Sequence, residues 1–256
     1  MMPGIVTLLT ARDSVIAGLY LLFMNPKKRA AEAAIPFLRD GMTIGLGTGS
    51  TADFFLLALA AAIQSGQLKA IRGVPTSHAC EKRAGELRIA LTTLLESPSL
   101  DVTVDGADEV DPNLDLIKGL GGALIRERIV AQASRQLIII ADTSKRVTRL
   151  GTRSPLPVEV VPFSHEVQPV FFKSLGATPA LRMADGKPFI TDNGNVIYDC
   201  TFPGGMDHPA TTERQLHNRA GVVGTGLFLG MATHVLVADE NQVTRMDRKV
   251  KIEDRG

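Results

Sequence analysis

Five apolar residues in a row close on an aspartate in Leu137-Ile138-Ile139-Ile140-Ala141-Asp142. A strand of that composition belongs in the interior of a parallel sheet, with helices over both faces. The rest of the chain must then supply parallel neighbours and crossover helices, and upstream it does. Residues 42–46 read as a short strand, followed by a turn at Gly47-Thr48-Gly49. The next helix is expected to be capped by Ser50, with Asp53 three residues on; it runs over 54–63 and ends at Gly66. A strand over 70–74, a helix capped by Ser77 and running to 87, and strands over 89–94 and 101–104 continue the alternation. Strand and helix in alternation is the pattern of an α/β layer. Ahead of all this, Asn25 as N-cap and Pro26 at the first helical position open a helix over 27–38.

The texture changes after Leu156. A strand over 158–163, a helix over 165–175 closed by Gly176, and strands 189–191 and 196–198 joined through Asn193-Gly194 describe a small α+β unit with a hairpin. We place it at 157–206, within a main domain made of 26–156 and 207–256. The return contributes a helix over 209–219 and strands over 222–228 and 234–238; the charged residues 245–256 are expected to fray. Residues 1–25 are set apart as an N-terminal extension. Their apolar run, VIAGLYLLFM at 15–24, falls short of the about 20 residues a membrane span needs. It also lacks the basic start and small-residue cleavage site of a secretory signal. A helix packed on the body or an upstream start are the readings favoured over targeting.

Composition excludes several functions. A net charge of +1 gives no nucleic-acid footprint, and no helix-turn-helix pattern precedes Pro26. Cys80 and Cys200 are too far apart in sequence for a disulfide framework or a metal-ligand spacing and suit a reducing cytoplasm. None of the five histidines falls into a zinc-type pair. Gly45-Leu46-Gly47-Thr48-Gly49-Ser50 has serine where a dinucleotide fingerprint needs its last glycine, and no Gly-Lys-Ser/Thr follows to make a P-loop. No cofactor, metal or membrane partner is expected. What remains at Thr48, Gly49, Ser50 and Thr51 is a glycine turn running into a helix start, a cradle for an anion such as a phosphate monoester. A tight turn with no ligand is the plainer reading.

The chemistry gathers between 101 and 134. The strand at 101–104 breaks into Asp105-Gly106-Ala107-Asp108-Glu109, acidic where ligands of an open parallel sheet bind. After an apolar run at 114–117 come Lys118-Gly119-Leu120-Gly121-Gly122 and a helix over 123–134, with Leu124, Ile125, Ile129 and Val130 as its apolar stripe and Glu127 in its first turns. A lysine, a nest of amides and a carboxylate can transfer a proton and hold a developing oxyanion. Each also has an ordinary reading: a solvated turn, an exposed lysine, a glutamate complementing a helix dipole.

Taken in order, Thr48-Gly49-Ser50-Thr51, Asp105-Gly106-Ala107-Asp108-Glu109, Lys118-Gly119-Leu120-Gly121-Gly122-Ala123-Leu124, Leu156-Pro157-Val158-Glu159-Val160 and Thr191-Asp192-Asn193-Gly194-Asn195 closely resemble type A ribose-5-phosphate isomerases, from about residue 26 to 243. Leu120 departs from the glycine expected there. The resemblance implies a Rossmann-like main domain with an inserted α+β domain, a phosphosugar substrate, no cofactor and a homodimer. It implies Glu127 as proton shuttle between C2 and C1, with Lys118 and the amides of 119–122 holding the oxyanion. Asp105 and Asp108 would handle ring-opening protons. Thr48, Gly49, Ser50, Thr51, Gly106, Ala107, Gly119, Leu120, Gly121, Lys145 and Lys28 would bind substrate. The rival readings are a sugar-phosphate sensor on the same scaffold and an isomerase or deaminase of another phosphosugar.

Overall fold

The computed structural model describes residues 25–248; the expectations for 1–24 and 249–256 lie outside them. In chain order the elements are α1 (Pro26–Glu32), β1 (Thr43–Leu46), α2 (Ser50–Gln64), β2 (Arg72–Pro75), α3 (His78–Glu86), β3 (Val102–Gly106), β4 (Glu109–Val110), β5 (Leu116–Ile117), α4 (Leu124–Gln132) and β6 (Leu137–Asp142). They continue with β7 (Leu156–Val160), α5 (Gln168–Ser174), β8 (Thr178–Leu181), β9 (Met183–Ala184), β10 (Lys187–Pro188), β11 (Val196–Thr201), α6 (Pro209–His217), β12 (Val222–Thr225), β13 (Leu227–Phe228), β14 (His234–Ala238) and β15 (Val243–Asp247).

The main sheet has the order β15-β14-β6-β3-β1-β2 and is parallel except for β15, which runs antiparallel to β14. β6 lies inside it, as its composition requires. Ile138 and Ile140 pack on one face with Ile44, Leu46, Val104 and helix residues Phe55 and Leu59. Ile139 packs on the other with Leu116, Phe228, Val235 and Val237. Apolar side chains on both faces are what holds a parallel strand between two layers. A second, antiparallel sheet, β12-β7-β11-β8, has its own core of Leu156, Val158, Val160, Phe172 and Tyr198. It takes β12 from beyond residue 206, so its strands reach past the limits 157–206. A third sheet, β13-β5-β4, carries the chain toward Lys118.

Several elements differ from expectation. α1 stops at Glu32, and a 3-10 turn, Ile35–Phe37, follows, because Pro36 lacks the N–H that would continue the helix. Asn25 does cap α1, accepting the Lys27 amide at 3.0 Å. Residues 89–94 are not a strand and contribute one bridge, Leu91 to Gly73. The turn through Asn193-Gly194 forms, but residues 189–191 supply only the bridge Ile190 to Val196; β11 pairs instead with β7 and β8. The expected strand at 158–163 is shifted to Leu156–Val160, before Pro162, and residues 165–167 are a 3-10 turn ahead of α5. Residues 222–228 split between two sheets at Gly226, where a Cβ would lie 2.2 Å from the Lys118 carbonyl oxygen. Finally, Arg245 and its neighbours up to Asp247 are paired in β15 rather than frayed.

Candidate active site

β1 and β3 are adjacent and parallel, so the turn after β1 and the acidic loop after β3 meet at one edge of the sheet. Gly47 makes the meeting possible: a Cβ there would lie 2.2 Å from Asp105 Oδ1. Gly49, at φ 115°, is the N-cap of α2 and offers no side-chain cap. Ser50 is therefore the first helical residue, not the cap, and its hydroxyl accepts a hydrogen bond from Lys27 Nζ at 2.9 Å. The first turn of this 15-residue helix is thus left with the uncapped amides that favour an anion. Thr48 Oγ1 is fixed at 2.8 Å from both Thr76 Oγ1 and Ser77 Oγ, and Thr51 is buried beside it.

Behind this rim lies a buried charge cluster. Lys118, carried just past β5, places its Nζ 3.0 Å from Asp105 Oδ2, 3.3 Å from Glu127 Oε1 and 2.5 Å from the Gly106 carbonyl oxygen. All three side chains are buried. Asp105 Oδ1 accepts the amides of Thr48 at 3.1 Å and Gly106 at 2.7 Å. Both of its oxygens are engaged, and the side chain is not among the residues lining the cleft. Its carboxylate thus lies behind the rim, held between Lys118 and the two amides. Glu127 differs: Oε1 meets Lys118, while the buried Oε2 has no hydrogen-bond partner among the described residues.

The electrostatics follow from burial. Loss of solvent pushes the Glu127 carboxyl up to about 8; Lys118 opposes the shift, and the charges of Asp105 and Asp108 add to it. Burial raises Asp105 as well, against the pull of Lys118. Burial works against the Lys118 ammonium, yet Asp105 and Glu127 together hold its pKa above the usual lysine range. The lysine keeps its proton, Asp105 balances it, and Glu127 is the member placed to gain or lose a proton near neutral pH.

The cleft is lined by Thr48, Gly49, Ser50, Thr51, Gly106, Ala107, Asp108, Lys118, Gly119, Gly121, Glu127 and Lys145. Lys145 reaches it from a 3-10 turn, Thr143–Lys145, capped by Asp142 at the end of β6. Asp108 Oδ2 accepts the Leu120 amide at 3.0 Å, and Leu120 itself is 39 % exposed and does not line the cleft. Lys28 does not line it either; its ammonium lies 3.8 Å from Glu32 on its own helix. The neighbouring Lys27 is the lysine that reaches Ser50. Two lysines in succession left the sequence with no periodicity to choose between them.

The supports of α4, which carries Glu127, have no local signal in the sequence. Arg126 donates to the Asp192 carbonyl at 2.9 Å and Asn193 Oδ1 at 3.0 Å, and Asp192 Oδ2 accepts the His78 amide at 2.8 Å. The Asn193-Gly194 turn thus ties α4 to the start of α3. Ile129, expected on the apolar stripe, is 49 % exposed. With Val74, Leu91, Leu94 and Val130 it lines a separate, mainly apolar cavity of about 500 Å³ that shares no residue with the cleft. Among the described residues, no group of three or more His, Cys, Asp or Glu is arranged to hold a metal, and no helix is long and apolar enough to cross a membrane.

Comparison with known proteins follows the same geometry. The sequence model of the family described as Ribose 5-phosphate isomerase A (phosphoriboisomerase A) matches residues 72–242. Ribose-5-phosphate isomerase A of Roseiflexus sp. (strain RS-1) is 49% identical over 86% of this chain and 94% of its own. That of Bacillus mycoides (strain KBAB4) is 49% identical over 86% and 98%. Among solved structures, ribose 5-phosphate isomerase from Plasmodium falciparum gives a TM-score of 0.85 at 38% identity, covering 88% of this chain and 99% of that one. A D-ribose-5-phosphate isomerase in complex with phospho-erythronic acid gives 0.84 at 40% identity, covering 87% and 97%.

Proposed function

The chain belongs to the ribose 5-phosphate isomerase A family and interconverts ribose 5-phosphate and ribulose 5-phosphate; from that premise we propose that Glu127 carries the proton between C2 and C1. The carboxylate takes the C2 proton of the open-chain aldose, the C2–H electron pair forms the C1–C2 double bond of an enediolate with its charge on O1, the O2 hydroxyl proton passes to O1, and the proton now on Glu127 is returned to C1 as O2 becomes the ketose carbonyl. One base serves both carbons because they are neighbours. Lys118 and the amides of Gly119 and Gly121, residues that line the cleft, hold the oxygen on which charge develops. The phosphate lies at the start of α2, on Thr48, Gly49, Ser50 and Thr51, with Lys27 and Lys145 supplying positive charge. Asp108, which lines the cleft, exchanges the ring-opening proton, while Asp105 keeps Lys118 charged and in place.

The observation that carries this reading is the state of Glu127: buried, raised to about 8, with one oxygen on a lysine and the other unpartnered. A solved relative described as bound to phospho-erythronic acid supports it, since a four-carbon phosphorylated acid carries a planar anionic carboxylate that resembles the enediolate. We further read the protein as a metal-independent cytoplasmic homodimer. Free buried Cys80 and Cys200 and the exposed apolar side chains Phe163, Val167 and Val170 support compartment and association.

The test is Glu127→Gln with ribose 5-phosphate in D₂O containing a chelator, following ketose and deuterium at C1 and C2 by NMR. The variant should lose about 10²- to 10⁴-fold in turnover, the usual worth of a positioned acid–base group, and still bind substrate. The parent enzyme should be indifferent to the chelator. Near-parental turnover by the variant would remove Glu127 from the mechanism.

A further inference from the structure

We infer that Arg182, a residue of the second sheet outside the cleft, is a positioning residue for the isomerisation: it holds the carbonyls of Gly119 and Leu120 and so aims the amides of the lysine loop. The inference rests on the reading of that loop as the holder of the enediolate oxygen.

Arg182 follows β8, and its guanidinium is used on two sides. Nε donates to Asp199 Oδ2 at 2.9 Å and one terminal nitrogen to Asp199 Oδ1 at 2.5 Å, the bidentate fork that fixes a guanidinium in plane. The other terminal nitrogen donates to the Gly119 carbonyl at 3.2 Å and the Leu120 carbonyl at 3.0 Å. The arginine side chain is 12% exposed, with its fork on Asp199 part-buried and its bond to the Leu120 carbonyl at the surface. Phe189 stands 5.8 Å from the same guanidinium and closes the far end of the loop, since a Cβ on Gly122 would lie 2.5 Å from its ring.

The consequence lies in peptide geometry. Across a trans peptide the carbonyl and the following N–H point to opposite sides. With the carbonyls of Gly119 and Leu120 drawn toward Arg182, the amides of Leu120 and Gly121 are turned away from it. The first is found on Asp108. The second belongs to Gly121, which lines the cleft, and is the donor presented to the substrate oxygen. A cation on the carbonyl side also polarises each peptide and strengthens its N–H as a donor. Gly119 and Gly122, at φ 96° and 85°, give the loop a freedom that the tether removes.

Arg182→Lys keeps the charge but cannot form the fork and hold both carbonyls. It should lower kcat roughly 10- to 100-fold, somewhat less than the about 10²- to 10³-fold of losing an oxyanion donor outright. KM should stay within about 3-fold, and a phosphorylated four-carbon aldonate should bind more weakly by the factor lost in kcat/KM. Inhibition by inorganic phosphate should not change. Asp199→Asn, which leaves the arginine but loosens its fork, should fall between the parent and Arg182→Lys. In Arg182→Ala, added guanidinium ion should restore part of kcat. Unchanged kcat in Arg182→Lys would overturn the inference; so would equal losses of aldonate and phosphate affinity with a lowered unfolding midpoint, the signature of general loosening. Glu127→Gln, measured alongside, separates the cases: if it keeps turnover, the proton-shuttle reading fails first.

Discussion

Glu127, on helix α4, and Glu159, on strand β7 of the second sheet, stand in similar circumstances. Both are buried, and in both Oε1 is engaged while Oε2 has no partner among the described residues. Their neighbours differ. Glu159 Oε1 accepts from Thr191 Oγ1 at 3.0 Å, Asn195 Nδ2 at 2.8 Å and Asn193 Nδ2 at 3.3 Å, all neutral donors of one turn. Glu127 faces a lysine and a second carboxylate, and it lines the cleft. An unpartnered oxygen therefore does not by itself mark a catalyst. Charge coupling and a place in the cleft set Glu127 apart, whereas Glu159 seats the turn that grips Arg126 and so braces α4.

The comparison breaks most visibly at the lysine. Lys118→Met leaves two carboxyls buried without their cation, and loss of one partner of a buried pair costs about 3–5 kcal/mol. Denaturant unfolding should show a loss of that order, shrinking at acid pH as the carboxyls neutralise, and turnover should fall about 10²- to 10³-fold. The pH dependence comes next. Below about 8 the folded Glu127 holds its proton, so kcat/KM for the free enzyme should rise with pH through that value. For stability the sign is opposite. Between the ordinary carboxyl value of 4.5 and about 8 the folded chain keeps a proton that the unfolded chain has released, so stability falls as pH rises. Asp105, also raised, adds to the slope with the same sign. Glu127→Gln should flatten its own share of the stability slope in a pH series of unfolding curves.

Glu159→Gln is the smallest perturbation and the sharpest control. Its amide oxygen can still accept from the turn, so a loss of about 1–2 kcal/mol in stability is expected, with kcat within about 3-fold of the parent. A loss of turnover matching that of Glu127→Gln would erase the distinction between the two glutamates.

What the sequence makes legible is local. The run at 137–142, the glycine turn before α2 and the order of motifs carry their information in neighbouring residues. Misread features depend on partners far along the chain. The Asn193-Gly194 turn suggests a hairpin, but β11 finds its long ladders with β7 and β8. Ser50 looks like a cap, but the non-helical backbone at Gly49 puts the cap one residue earlier and leaves the Ser50 hydroxyl to Lys27. Nothing near Asp105 in the sequence announces that the Thr48 amide, from the turn after another strand, and Lys118 hold its carboxylate. Arg182, whose contacts with the lysine loop span more than sixty residues, carries no local signature at all.

Gly47 gives the turn after β1 a significance beyond its own flexibility. It bears no functional group, yet a single methyl there would fall within 2.2 Å of Asp105 Oδ1 and 2.6 Å of Asp105 Cα. One added carbon at this place, which has no chemistry of its own, would press on the counterion of Lys118 from the oxygen that the lysine does not hold, and so disturb the charge cluster without touching the sugar.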